Sequence, residues 1–219
     1  MHDLRLASLL ASLTLLASSL VALGACATSG ARDAAVQGAV VTTVAGEALA
    51  LDTIAAAHDA TVLVWWSSTC PCVRRYEARV RDLAARMVGR PVAFYYVSSN
   101  ADDGPERLAS AAPTAPLPIV RDEGGVIAER LGVTSTPTVV VLDRTGRVRF
   151  TGWLDNEHPV GDPDREAWLE DALARVVATD AADGGGGVER TPTWGCMVTR
   201  SLGQVGRCHG AVAVPTRSP

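Results

Sequence analysis

The residues best placed to do chemistry are Cys70 and Cys72, separated by Pro71. They stand where a β-rich apolar run, Thr61-Val-Leu-Val-Trp-Trp66, hands over to apolar residues at helical spacing: Val73, Tyr76, Val80, Leu83 and Met87. A cysteine at a helix N-terminus faces unpaired backbone N–H groups and the positive end of the helix dipole, and both favour thiolate over thiol. Cys70 is therefore the expected nucleophile. Arg74 and Arg75, one turn into the helix, would add positive charge if they point back to the sulfur. The Ser67 hydroxyl, just upstream, can donate a hydrogen bond. A bridge between Cys70 and Cys72 closes a very small ring and needs a bent chain, so it would be strained and easily reduced.

The chain holds five cysteines, and two of them, Cys196 and Cys208, follow a glycine-rich stretch, Asp180-Ala-Ala-Asp-Gly-Gly-Gly-Gly187. Two readings stand side by side. Cys196 can swing in to resolve a mixed disulfide at Cys70, or Cys196 and Cys208 can staple the tail to itself. His58 and His158 read as solvated loop residues. Cys208-His209 lacks the earlier cysteine of a haem-attachment motif, since position 205 is Val.

The elements that must position these residues follow from the pattern. The run at 61–66 and Val92-Ala-Phe-Tyr-Tyr-Val97 read as buried central strands, and the helix between them starts at Pro71 and ends at Gly89 and Pro91. Strand, helix and strand of this length make a right-handed βαβ unit. Short helices are expected at 105–111 and 125–131. A hairpin is expected from Thr138 to Phe150 around Asp143-Arg-Thr-Gly146, with a last helix opening at Asp162 and Pro163. The order is βαβ, an excursion, then ββα, an α/β class with one core. Residues 39–179 form this domain, and 180–219 are expected to be a flexible linker and a cysteine-containing tail with too few large apolar residues for a second core.

Trp65-Trp66-Ser67-Ser68-Thr69-Cys70-Pro71-Cys72, followed by Gly132-Val-Thr-Ser-Thr-Pro137-Thr138 and a hairpin, resembles the thioredoxin superfamily. Thr69–Tyr76 and Thr191-Pro-Thr-Trp-Gly-Cys196 also resemble bacterial peroxiredoxin-like (AhpC/TSA-like) redoxins. The resemblance implies a thioredoxin-like fold, a central mixed sheet flanked by helices, with Pro137 in a cis-proline loop beside Cys70. It implies a thiol–disulfide oxidoreductase acting on protein thiols or disulfides, together with an electron donor or acceptor that the sequence does not identify, and it implies no cofactor and no resident metal. The chain departs from the family in two places. The second cysteine comes one residue early, with Val73 where Cys-x-x-Cys would place it. Val64 stands where thioredoxins carry a buried proton-relaying carboxylate. Peroxide reduction is the nearest rival function, although no Pro or Thr of the peroxiredoxin kind precedes Cys70 at the usual places. A carrier of copper(I) on Cys70, Cys72 and a His, or a redox-inert binding module, are further alternatives.

Residues 4–23 form an apolar stretch broken only by Arg5, and Leu23-Gly24-Ala25-Cys26 resembles a bacterial lipobox. Residues 1–25 then read as a lipoprotein signal peptide, Cys26 as the lipidated residue and 26–38 as a tether of small polar residues. This predicts a bacterial envelope protein, anchored in a membrane by lipid and facing the periplasm, with the outer membrane favoured by Ala27. Net charge is −4 and the twenty basic residues, all Arg, are scattered, so nucleic-acid binding has no electrostatic support.

Overall fold

The computed structural model describes residues 36–158, 162–178 and 187–200, and the backbone of a strand at 208–212. The signal peptide, Cys26, most of the tether and residues 180–186 of the linker lie outside the described residues. No helix among the described residues is long and apolar enough to cross a membrane.

The elements in chain order are β1 (Val40–Thr43), β2 (Ala48–Ala50), α1 (Leu51–Ala56), β3 (Ala60–Trp65), α2 (Pro71–Arg86), β4 (Val92–Ser98), α3 (Pro105–Ala111), β5 (Ile119–Arg121) and α4 (Val126–Leu131). There follow β6 (Ser135–Thr136), β7 (Thr138–Asp143), β8 (Val148–Gly152), α5 (Trp168–Ala178), β9 (Glu189–Arg190), β10 (Thr193–Met197) and β11 (Cys208–Val212). One sheet has the order β2-β1-β5-β4-β3-β7-β8-β9, and a small second sheet runs β11-β10-β6. β3 pairs parallel with β4 and antiparallel with β7, so the main sheet is mixed, with the expected βαβ unit at its centre.

β3 is buried at every position because both faces of the sheet are covered. Successive side chains point to opposite faces. Val62 and Val64 join Tyr76, Val80 and Leu83 of α2 and Leu169 and Leu173 of α5 in one cluster. Leu63 and Trp65 join Leu51 of α1 and Ile127 and Ala128 of α4 in the other. Val36, expected in the tether, is also buried in that second cluster, so the packed domain starts a few residues earlier than composition suggests.

The structure corrects two expectations. The last helix opens at Trp168 rather than at Asp162 and Pro163. Side chains there compete with helical bonding: Asp162 Oδ1 accepts the Asp164 N–H at 2.9 Å, Asn156 Nδ2 donates to the Asp164 carbonyl at 2.7 Å, and Asn156 Oδ1 accepts the Glu166 N–H at 3.0 Å. Arg165 reaches the buried Asp155 at 3.4 Å and Glu170 at 3.0 Å. The second correction concerns the tail. From residue 187 to 200 it is folded onto the domain: β9 extends the main sheet beside β8, and β10 pairs with β6. It needs no core of its own because it borrows apolar partners, above all Trp153, whose ring centroid lies 3.5 Å from that of Trp194.

Candidate active site at the Cys70 thiol

β3 delivers the chain to the site and α2 carries it away. Cys70 is the N-cap residue of α2, in extended conformation, and Pro71 fills the first helical position, where a missing N–H costs no hydrogen bond. The turn before it is built by Ser67, whose carbonyl accepts the Cys70 N–H at 3.2 Å and whose Oγ accepts the Thr69 N–H at 3.3 Å. Ser67 thus shapes the backbone that holds the sulfur. Beneath this turn Asp103, fully buried, accepts the Ser68 N–H at 3.3 Å, the Ser68 hydroxyl, and the Ser98 hydroxyl at 2.9 Å.

Across from α2 lies the loop containing Pro137. The Thr136–Pro137 bond is cis. The Cys70 Sγ–H donates to the Thr136 carbonyl at 3.3 Å, and Trp153 Nε1 donates to the Pro137 carbonyl at 2.7 Å. β10 runs antiparallel along this loop, with Cys196 opposite Thr136 and Met197 opposite Ser135. The Sγ atoms of Cys70, Cys72 and Cys196 all lie within 4.8 Å of one another, in three buried residues. Cys70 and Cys196 carry thiols, whereas Cys72 belongs to a disulfide whose partner lies outside the described side chains. Neither the Cys70–Cys72 bridge nor the Cys196–Cys208 staple considered from the sequence is formed in this structure. Cys208 is nonetheless the cross-strand partner of Cys196 in the backbone register.

Burial pushes the Cys196 thiol up to about 12, with its hydrogen bond to Cys70 and the charge of that neighbour adding to the effect, and a hydrogen bond from the Cys72 backbone opposing it. Cys196 therefore keeps its proton at neutral pH while the two thiols are side by side. Below them, Val64 sits in the apolar cluster and offers no proton relay. The Tyr76 hydroxyl donates to Glu157, and its ionisation is pushed far upward, chiefly by burial and then by that carboxylate.

The remaining sequence-derived candidates are placed elsewhere. Arg75 pairs with Glu157 at 3.0 Å and Arg74 is exposed; among the described contacts neither reaches the Cys70 sulfur. Both side chains leave the outer face of α2, while Cys70 faces the proline loop. His58 Nδ1 bonds the Ile54 carbonyl at 2.8 Å and His158 lies 3.3 Å from Asp162, which accounts for both histidines away from the sulfurs. Three residues have a structural role that was not drawn from the sequence. Trp194 and Gly195 directly precede Cys196, and an aromatic and a glycine next to a cysteine were a readable signal of a docked strand. Asp103 sits in Ala101-Asp-Asp-Gly104, which reads only as a turn.

The sequence of this chain matches the thioredoxin-like domain family over residues 48–159, more than half its length, and the chain belongs to that family, whose members are generally redox enzymes. No curated protein matches it. Among solved structures it is similar to a hypothetical protein from Sinorhizobium meliloti 1021, with TM-score 0.58 and 22% identity over 75% of this chain and 91% of that one. An uncharacterized conserved protein from Geobacillus kaustophilus gives TM-score 0.56 and 22% identity over 73% and 87% of the two chains. A putative thioredoxin from Neisseria meningitidis gives 0.53 and 16% over 66% and 91%. At these identities the likeness is one of fold.

Proposed function

We propose that the protein is a thiol–disulfide oxidoreductase of the bacterial envelope, held on a membrane through a lipid on Cys26, with Cys70 as the attacking sulfur and Cys196 as the resolving one. One observation carries the redox part of this reading: the sulfurs of Cys70, Cys72 and Cys196 gather within 4.8 Å where β3 hands over to α2, opposite the proline loop. In the reducing direction the Cys70 thiolate attacks one sulfur of a substrate disulfide, R–S–S–R′, forming Cys70–S–S–R and expelling R′S⁻, which takes up a proton. Cys196 then gives up its proton and attacks the Cys70 sulfur. The Cys70–Cys196 disulfide forms, RS⁻ leaves, and two protein thiols have been exchanged for two substrate thiols. A dithiol donor resets the pair, and a disulfide acceptor drives the same steps backwards. Cys72 is the alternative resolving residue once its own disulfide is opened.

The test is reduction of insulin disulfides by the wild type and by Cys70→Ser, Cys72→Ser and Cys196→Ser. Cys70→Ser falls to background. Cys196→Ser accumulates a mixed disulfide at Cys70, seen by non-reducing peptide mapping. Full activity of Cys70→Ser would remove the reading. The same three sulfurs, once all reduced, also suit a soft monovalent metal. Copper(I) titration of the reduced protein separates that carrier role, because it alone yields a stoichiometric complex lost in each of the three serine variants.

A further inference from the structure

The site has a feature that plain disulfide exchange does not need. An extended polypeptide reaches a sulfur beside a sheet edge by adding a strand to it, and the edge beside Cys70 is that of β6. That edge is already filled by the chain's own β10, which sets Cys196 opposite Thr136. Cys70 is only 3% exposed under it.

The strand is held at three places. On one side, Trp194 packs against Trp153 and edge-on to Trp168 at 6.3 Å. On the other, Val198 N–H donates to the Thr134 carbonyl at 2.9 Å, and Thr199 donates its N–H at 2.8 Å and its hydroxyl at 3.2 Å to Asn100 Oδ1. Between them, Gly195 passes so close to the proline loop that a Cβ there would lie 2.1 Å from the Thr136 oxygen and 2.8 Å from its carbon. Its φ of +146° is itself one that other residues rarely adopt. Only glycine lets the strand lie flat with Cys196 beside Cys70.

Building on the redox reading above, we propose that β10 is a tethered stand-in for substrate: it occupies the polypeptide-docking edge of β6, and an external polypeptide gains Cys70 only by displacing it. The surface it covers takes an extended segment with an aromatic side chain, then glycine, then cysteine. The tail thereby does two jobs in sequence. It shields Cys70 until a competing strand arrives, and on its return it brings Cys196 to the mixed disulfide.

The experiment uses the full chain in a Cys196→Ser background, so that resolution is removed, and compares it with Gly195→Ala/Cys196→Ser and, as a second route to release, Trp194→Ala/Cys196→Ser. Circular dichroism verifies that each variant is folded. Two quantities are read: alkylation of Cys70 by iodoacetamide, and binding of a synthetic peptide covering residues 191–199 with Ser in place of Cys196. We expect alkylation to rise at least about tenfold in both release variants, equivalent to a docking preference of ~1.4 kcal/mol. The peptide binds the release variants at least about tenfold more tightly than the parent, and a peptide with Ala for Gly195 does not bind. Unchanged alkylation and equal peptide binding in folded variants overturn the proposal. Failure here leaves insulin reduction by the wild type untouched, whereas failure of the redox reading abolishes insulin reduction and leaves these two measurements as they are.

Discussion

Asp103→Ala tests whether the turn before Cys70 is held from beneath. The carboxylate takes three donors, two from Ser68 and one from Ser98. Hydrogen bonds to a charged group are worth about 1.5–3 kcal/mol each, but the three losses do not add in full. Ser68 is partly exposed, so its two donors turn to water in the variant and cost little beyond their geometry. Ser98 is 1% exposed and its hydroxyl is left without an acceptor, a penalty of about 1–3 kcal/mol. With the loss of the ionic bonds the total comes to about 3 kcal/mol. For a chain of this size that lowers the melting temperature by roughly 6–12 °C. Asp103→Asn keeps one acceptor and can donate to the Ser98 oxygen, so about half the loss returns. The assay is thermal unfolding followed by circular dichroism, paired with alkylation of Cys70, which accelerates as the turn loosens. A fall in melting temperature below about 2 °C for Asp103→Ala would show that solvent replaces all three bonds, that of the buried Ser98 included.

Three other outcomes follow from the same contacts. The raised Cys196 thiol makes docking of the tail pH-dependent: its contribution is complete below the ordinary thiol value of 9.0 and is lost as pH climbs through about 12. Tryptophan fluorescence of the Trp153–Trp194 contact, titrated from pH 8 upward, reads the release, and Cys196→Ser abolishes the thiol's part of the titration; identical curves for both proteins contradict the assignment. Gly152→Ala would place a Cβ 1.9 Å from Thr191 Oγ1, the atom that accepts the Trp153 N–H at 3.1 Å. Overpacking of this kind costs about 1–3 kcal/mol, and hydrogen exchange at Thr191 and Trp153 should rise with it. Leu173→Ala removes a fully buried side chain from the cluster that joins α5 to β3 and α2. It should destabilise by about 2–5 kcal/mol in urea without changing the rate at which Cys70 is alkylated in the native state.

What the sequence made legible was whatever depends on local pattern. The run at 61–66 alternates between two buried faces, the helix after Pro71 carries one apolar stripe, and the Asp143–Gly146 turn closes a hairpin, so the centre of the sheet and the position of Cys70 could be placed from the residues alone. The edges were not. β1, β2 and β5 are three or four residues long, and such short strands exist only because neighbours pair with them. The start of α5 was missed because its competitor lies just outside the helix pattern: Asp162 and Pro163 are good helix-opening residues, but the side chain of Asn156, a few residues upstream, bonds the backbone of Asp164 and Glu166.

The tail shows why a shortage of apolar residues is a weak guide to order. Residues 187–200 bury little with which to build a core, since Val188 and Met197 stay exposed, yet an extended segment laid on an existing sheet edge satisfies its backbone there and needs one large anchor to fix its register. Trp194 supplies the anchor, and Gly195 removes the side chain that would hold the strand off the proline loop. Cys196 follows directly, so its distance from Cys70 is set by backbone pairing rather than by the reach of a flexible linker. Under the proposed redox role, a resolving cysteine delivered by a registered strand would meet its partner at one geometry each time the strand closed. The length of the glycine-rich linker should then matter little to the rate of resolution, and the fit of Gly195 against Thr136 should matter a great deal.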